Sequence, residues 1–236
     1  MCTVTYVKNE NITILTSNRD EAISRPAALY PQTYVVNGKK IIFPKDTKAN
    51  GTWFAVSEEG SVAIVLNGAD KKHVSKGPYR RSRGLILLDI LSAANPVEAK
   101  ETIDLDNIEP FTLILYTGSV LYQFRWDGNK KETVELDPEA NHIWASATLY
   151  SEEVRAKRNE LFKDYLTIHE TPTPEEMLFF HEFTEGNDKE NGLVINRNDF
   201  LKTVSITQCV IENNRVYINY NDLISHNINK ESILIL

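Results

Sequence analysis

The opening of the chain constrains its fold more than any other stretch. Residues 2–7 (CTVTYV) and 12–17 (ITILTS) are dense in β-branched side chains, which suit the pleated, half-buried surface of a sheet. Between them, Lys8-Asn9-Glu10-Asn11 is a polar loop of the size that closes a hairpin. Pairing Val7 with Ile12 carries Cys2 opposite Ser17, beside Asn18-Arg19-Asp20-Glu21, and the apolar pattern opposes a one-residue slip. A thiol near the chain start then faces an amide, a guanidinium and two carboxylates. The same residues also read as a buried small hydrophobe followed by a turn. The rest of the chain has to decide between the two.

At 236 residues the chain is read as one domain, 1–236, with room for a sizeable two-layer core. Its 42% hydrophobic and 25% charged content is that of a soluble globular protein. A formal charge of −7 argues against a nucleic-acid surface spread over the molecule. The two cysteines, Cys2 and Cys209, make no disulfide framework, and no metal-ligand spacing is present. That usage suits a reducing compartment. No apolar run approaches the roughly 20 residues that span a bilayer, and no charged segment followed by an apolar one opens the chain. The expectation is a cytoplasmic protein with no cofactor, no membrane span and no nucleic-acid partner; the oligomeric state is left open.

Several further stretches carry strand or helix signals. Residues 40–43, 52–57 and 61–66 read as strands, the last two forming a second hairpin expected beside the first. Lys71, Lys72, His73 and Lys76, followed by Arg80, Arg81 and Arg83, form a basic concentration. It reads either as a solvated loop or as an electropositive lip for an anionic substrate. Helical spacing spans 79–94, and Asn95-Pro96 starts a short helix with asparagine as its cap. Residues 111–116 and 120–126 make a third hairpin, and 131–136 a further strand. Residues 151–168 form an amphipathic helix with Val154, Leu161, Phe162 and Tyr165 on one side. Thr173-Pro174-Glu175-Glu176 is a capping-box helix start, and Met177-Leu178-Phe179-Phe180 belongs to a buried helix face. Residues 204–211 and 215–219 form a fourth hairpin, with Cys209 in the core, and 233–236 a last strand. Strands paired at both ends with helices grouped between them predict sheets stacked with helical layers.

A cysteine at position 2 permits removal of Met1, which leaves a thiol and an α-amine on one residue. The amine has a reference pKa near 8, about that of the thiol, so it can take the sulfur proton and later pass it to a leaving nitrogen. Cys2, Asn18-Arg19-Asp20-Glu21, Ser24-Arg25-Pro26, Gly51-Thr52-Trp53, Leu66-Asn67 and Ser82-Arg83-Gly84 occur in the order typical of the NRDE family. The chain resembles that family, which includes the transport and Golgi organisation protein-two group. The resemblance is dense to about residue 90 and thinner beyond.

The resemblance implies an α+β fold, a four-layer αββα sandwich of the N-terminal nucleophile hydrolase type. It also implies distant kinship with cysteine-dependent penicillin V acylases and choloylglycine hydrolases. Carried over by residue, Cys2 is the nucleophile, Arg19 and Asp20 stand beside it, and Asn67 is the oxyanion donor. A shifted alignment chooses Asn18 and Glu21 instead. Asn18, Glu21, Trp53 and Arg83 are assigned to substrate binding. Two features depart from the acylase pattern. Ala145-Ser146-Ala147-Thr148 stands where acylases have a catalytic asparagine, and residues 203–207 lack their distal arginine, for which Arg155 is the substitute considered. The implied activity is hydrolysis of a linear C–N bond in a small acyl amide. The alternative is a carrier of a hydrophobic small molecule such as haem or an acyl thioester.

Overall fold

The computed structural model describes residues 3–235, so Cys2, on which the hairpin argument turns, lies outside the described residues. The first hairpin is β1 (Thr3–Lys8) and β2 (Ile12–Ala22). Its register differs from expectation: Val7 pairs with Ile14, not Ile12, and Thr3 pairs with Asn18. The turn is tighter than the polar run suggests, because Asn9 N–H donates to Ile12 O at 2.9 Å and draws Lys8 and Asn9 out of the loop. The shift is by two residues, so every side chain keeps its face.

The second hairpin is β5 (Phe54–Ser57) and β6 (Val62–Asn67). It lies in the opposite sheet from the first and meets it face to face rather than edge to edge. That sheet also contains β3 (Leu29–Val36), β4 (Lys39–Lys45), β7 (Phe111–Thr117), β8 (Val120–Trp126) and β9 (Lys131–Leu136), antiparallel in chain order. β3 carries no clear strand signal because Pro31 lies inside it. It is tolerated there because β3 is an edge strand with a register irregularity between Leu29 and Gln32. Pro44 opposes the same irregularity, so β4 runs on past the 40–43 stretch expected as a strand.

The first sheet runs β10 (His142–Ala145), β1, β2, β12 (Leu201–Glu212), β13 (Arg215–Asp222) and β14 (Ile228–Leu234), with the short β11 (Asn196–Arg197) on β12. β12 and β2 pair over eleven rungs from Leu201↔Ala22 to Glu212↔Ile12, and a bulge at Val204 separates Thr203↔Asp20 from Ser205↔Arg19.

Helices cover the outer face of each sheet, which makes the αββα sandwich. α1 (Arg83–Ser92) packs on β5 and β6, and α2 (Pro96–Thr102) packs on α1. α1 is shorter than the 79–94 pattern because Ser82 Oγ caps Leu85 N–H at 3.3 Å, while Arg80 N–H is bound to Asn107 O. α3 (Glu152–Ile168) lies against β10, and α4 (Pro174–Phe183) against β2 and β12. The capping box at Thr173 forms as expected, with Glu176 answering the Thr173 backbone. The larger core is built from Val4, Tyr6 and Leu15 of one sheet and Phe54, Ile64 and Phe124 of the other. A second core joins Val7, Ile14 and Val210 to Phe162, Met177 and Phe180 of the helices. Each such side chain contributes about 1.5–3 kcal/mol on burial. Cys209 is fully buried, as expected. Among the described residues no helix is long and apolar enough to cross a membrane.

Candidate active site

Strand alternation divides Asn18-Arg19-Asp20-Glu21 between two faces of β2. The four polar side chains therefore do not share one face: Asn18 and Asp20 turn toward the helices, Arg19 and Glu21 toward the opposite sheet.

On the helical side Asn18 is fully engaged. Its Nδ2 donates to His181 O at 3.0 Å and Leu193 O at 2.8 Å, and its Oδ1 accepts from His181 Nδ1. His181 Nε2 accepts from Thr5 Oγ1 at 2.8 Å. Burial, with a smaller contribution from the Arg158 charge, depresses the His181 pKa to about 3, so the ring is a neutral link between α4 and both strands of the hairpin. Asp20 accepts from Tyr150 Oη at 2.6 Å and Thr203 Oγ1 at 2.5 Å. Arg158 of α3 is 1% exposed, stacks 3.6 Å from the Tyr150 ring centre, and donates to Thr3 Oγ1, Asn191 O and Gly192 O. These bonds bind the first strand to the helical layer at Thr3, the residue that follows Cys2.

On the other face Arg19 lies 4.1 Å above the Trp53 ring and donates to Asp46 Oδ2 at 2.6 Å. Arg25 closes the same carboxylate with bonds of 2.7 and 3.0 Å, and Glu21 stands 3.6 Å from Arg19. Burial by itself would raise the Asp46 pKa. The Arg25 hydrogen bond, the Ala49 amide and the charges of Arg25 and Arg19 outweigh it and hold the carboxyl below its usual range. Desolvation lowers the Arg19 pKa against the pull of Glu21 and Asp46.

Two of the glycines explain how distant motifs meet here. A Cβ on Gly84 would stand 2.3 Å from Thr52 O, and one on Gly51 would stand 2.7 Å from Gly84 C. Only glycine at both positions lets the β4–β5 connection cross the start of α1. That crossing brings Trp53 and Arg83 to a cavity of about 200 Å3, which Arg19, Glu21 and Asn67 also line. Arg83 is tied to Glu109 at 3.0 Å, and desolvation lowers its pKa. Trp53 is 4% exposed and its Nε1 has no hydrogen-bond partner.

Five of the expected side chains, Arg19, Glu21, Trp53, Asn67 and Arg83, therefore share one cavity, while Asn18 and Asp20 lie behind the sheet. Ser146, in the stretch that replaces the acylase asparagine, donates to Asn67 O at 2.8 Å. Arg155 lines a different cleft. Within the basic concentration the arginines are paired: Arg83 meets Glu109, beside His73, Arg80 meets Asp104, and Arg81 meets Asp89. Sequence reasoning missed Asp46, His181 and Arg158. The last two left a signal, because Arg158 continues the Val154–Phe162 stripe at i,i+4 and His181 follows Met177 at the same spacing. A polar residue on an otherwise apolar helix stripe needs a buried partner.

The solved structures similar to this chain share its fold. Conjugated bile acid hydrolase from Clostridium perfringens, in one variant, aligns at 12% identity with a TM-score of 0.61 over 98% of this chain and 92% of that one. The Caenorhabditis elegans orthologue of N-acylethanolamine-hydrolyzing acid amidase aligns at 12% identity and TM-score 0.61, over 88% and 92%. A second variant of the C. perfringens enzyme aligns at 11% identity and TM-score 0.54, over 98% and 96%. At such identities the likeness is one of fold, the N-terminal nucleophile hydrolase sandwich. No curated protein sequence matches the chain. The family profile described as Transport and Golgi organisation 2 matches residues 1–207, and the chain belongs to that family.

Proposed function

We propose that this chain is a cysteine-dependent N-terminal nucleophile amidohydrolase acting on the linear C–N bond of a small acyl amide. The observation that supports it is the convergence of Arg19, Trp53, Asn67 and Arg83 on one cavity, with Arg19 next in sequence to Asn18, the rung partner of Thr3. In this reading Met1 is removed and the Cys2 α-amine takes the thiol proton. Sγ attacks the amide carbonyl, the C–N bond breaks, and the amine returns that proton to the leaving nitrogen. Water then attacks the thioester, releasing a carboxylic acid and regenerating the thiol. Asn67 donates to the oxyanion, a contact worth roughly 3 kcal/mol in the transition state. Arg19, held by Asp46 and Trp53, supplies positive charge beside the thiolate. The neighbours named as a conjugated bile acid hydrolase and an acid amidase support the chemical class through shared fold alone. Intact mass of the mature protein and labelling by an activated acyl compound test this. Loss of Met1 and an acyl adduct mapped to Cys2, absent in Cys2→Ala, are expected; retained Met1 with no adduct overturns it.

A second reading, a carrier of a hydrophobic small molecule, is favoured by an adjoining cavity of about 250 Å3 walled by Ile23, Pro26, Ala28, Val204, Tyr220 and Ile224. It shares Arg19, Glu21 and Arg25 with the first cavity, so an acyl chain there would place its carbonyl toward the arginines. Among the described residues neither cavity is lined by His, Met or Cys, which fits an acyl thioester and leaves Tyr220 as the side chain there of a kind that can ligate haem iron. Titration with an acyl thioester and with haem tests it; no saturable thermal or spectral shift with either removes it.

A further inference from the structure

A cleft of about 340 Å3 opens between the start of α3, the edge strand β10 and the ends of β6 and β8. It is separate from the cavity around Trp53. Val65 and Asn67 line that cavity, whereas Leu66 and Gly68, on the opposite side of the β6 pleat, line the cleft. Three guanidiniums enter its wall: Arg125 from β8, and Arg155 and Arg158 from α3. In each of the three, Nε is buried and has no hydrogen-bond partner, and no other arginine among the described residues is in that state. Arg158 is 1% exposed; its terminal nitrogens hold Thr3 and the 191–192 backbone, which leaves Nε unmatched. Among the described residues the ion pair of Arg125 is with Asp70, at 3.9 Å with that carboxylate largely in solvent.

A buried donor without an acceptor is destabilising, more so on a charged group. Three in one cleft make it a place that favours an anion. Glu152 also lines the cleft, so its wall carries two net positive charges in a chain of formal charge −7. Lys71 and Lys72 line an adjoining hollow that shares Glu152 and Arg155, which extends the positive rim. Guanidinium forks match the oxygens of phosphate, and a net positive wall favours an anion. Leu66, Ile143 and Trp144 also line the cleft, which gives an organic substituent an apolar and aromatic surface.

We propose that this cleft binds the phosphate group of a small phosphate monoester, with Arg125 and Arg155 as phosphate ligands and Arg158 as the buried charge behind them. The proposed binding involves no turnover step. Isothermal titration of the full chain with phenyl phosphate and with inorganic phosphate, at constant ionic strength, tests it. Saturable binding is expected for both, tighter for the ester. Arg125→Gln and Arg155→Gln should each weaken it by about tenfold or more, with unchanged circular dichroism. Glu152→Gln should tighten it by about threefold, and Cys2→Ala should leave it unchanged. Phosphate binding as tightly as the ester would overturn the organic ligand and keep the anion site. No saturable binding of either, or binding unmoved by both arginine variants, would overturn the proposal.

Discussion

Asp46→Asn preserves the size of a side chain while removing the charge that holds two arginines beside the start of β1. The Asp46 side chain is 10% exposed and that of Arg19 5%, so the bond between them lies almost wholly out of water. Removing one partner of a buried pair costs about 3–5 kcal/mol, chiefly because the other charge is left unmatched. Asparagine keeps one acceptor oxygen, and Glu21 remains 3.6 Å from Arg19, so the low end, about 3 kcal/mol, is expected. For a chain of this length that lowers Tm by about 6–12 °C. Calorimetry and urea unfolding at pH 7 measure it directly. A pH series adds a second readout with a definite sign. The folded Asp46 carboxyl is depressed, so its contribution is complete above the unfolded pKa of about 3.9 and is lost as pH falls through the lower folded value. The variant should therefore lose part of the acid limb that the parent shows. Stability within about 0.5 kcal/mol of the parent, with the acid limb unchanged, would refute the claim that Asp46 anchors Arg19.

Three further expectations follow from other sites. His181, depressed to about 3, must be neutral in the folded chain; its contribution is complete above about pH 6.5 and is lost as pH falls toward 3, at up to about 1.4 kcal/mol per unit. His181→Gln should flatten that slope in urea-midpoint measurements, and an unaltered slope would contradict the assignment. Burial pushes the Cys209 thiol well above its ordinary pKa, so iodoacetamide should leave it unmodified in the native protein and reach it only in denaturant; native labelling mapped to Cys209 would refute this. Thr173→Ala removes the α4 capping box and should cost about 1 kcal/mol, whereas Thr173→Ser should cost much less. Equal losses in the two variants would point to the methyl group instead.

Strands and helix starts were legible wherever the local signal agreed with the tertiary context. The hairpins around Gly118 and Asn213, the Asn95 and Thr173 caps, and the buried Cys209 all follow from neighbours in the chain. The missed strand β3 and the shortened α1 depend on partners far away: an edge position that excuses Pro31, and an Asn107 carbonyl that takes the Arg80 amide. The site divides in the same manner. Motif order points to Arg19, Trp53, Asn67 and Arg83, and the Gly51–Gly84 crossing is why that order becomes proximity. The two roles within Asn18-Arg19-Asp20-Glu21 follow from the pleat, which the hairpin pattern already contained, yet a tetrapeptide reads as one cluster until its faces are assigned. Asp46 left no local signal, since a lone aspartate before a turn is ordinary turn chemistry.

The bulge in β12 gives the chain one residue that belongs to no rung with β2. Thr203 still meets Asp20 and Ser205 still meets Arg19, while Val204 is spare to that ladder and forms part of the apolar cavity wall, its carbonyl taken by Leu223 N–H at 3.0 Å. Cavity size is thereby uncoupled from the pairing that sets the arginine. A larger or smaller side chain at 204 changes the volume of the cavity and leaves the rungs at Asp20 and Arg19 in place. It is the natural handle for resizing that cavity by design without rebuilding the sheet.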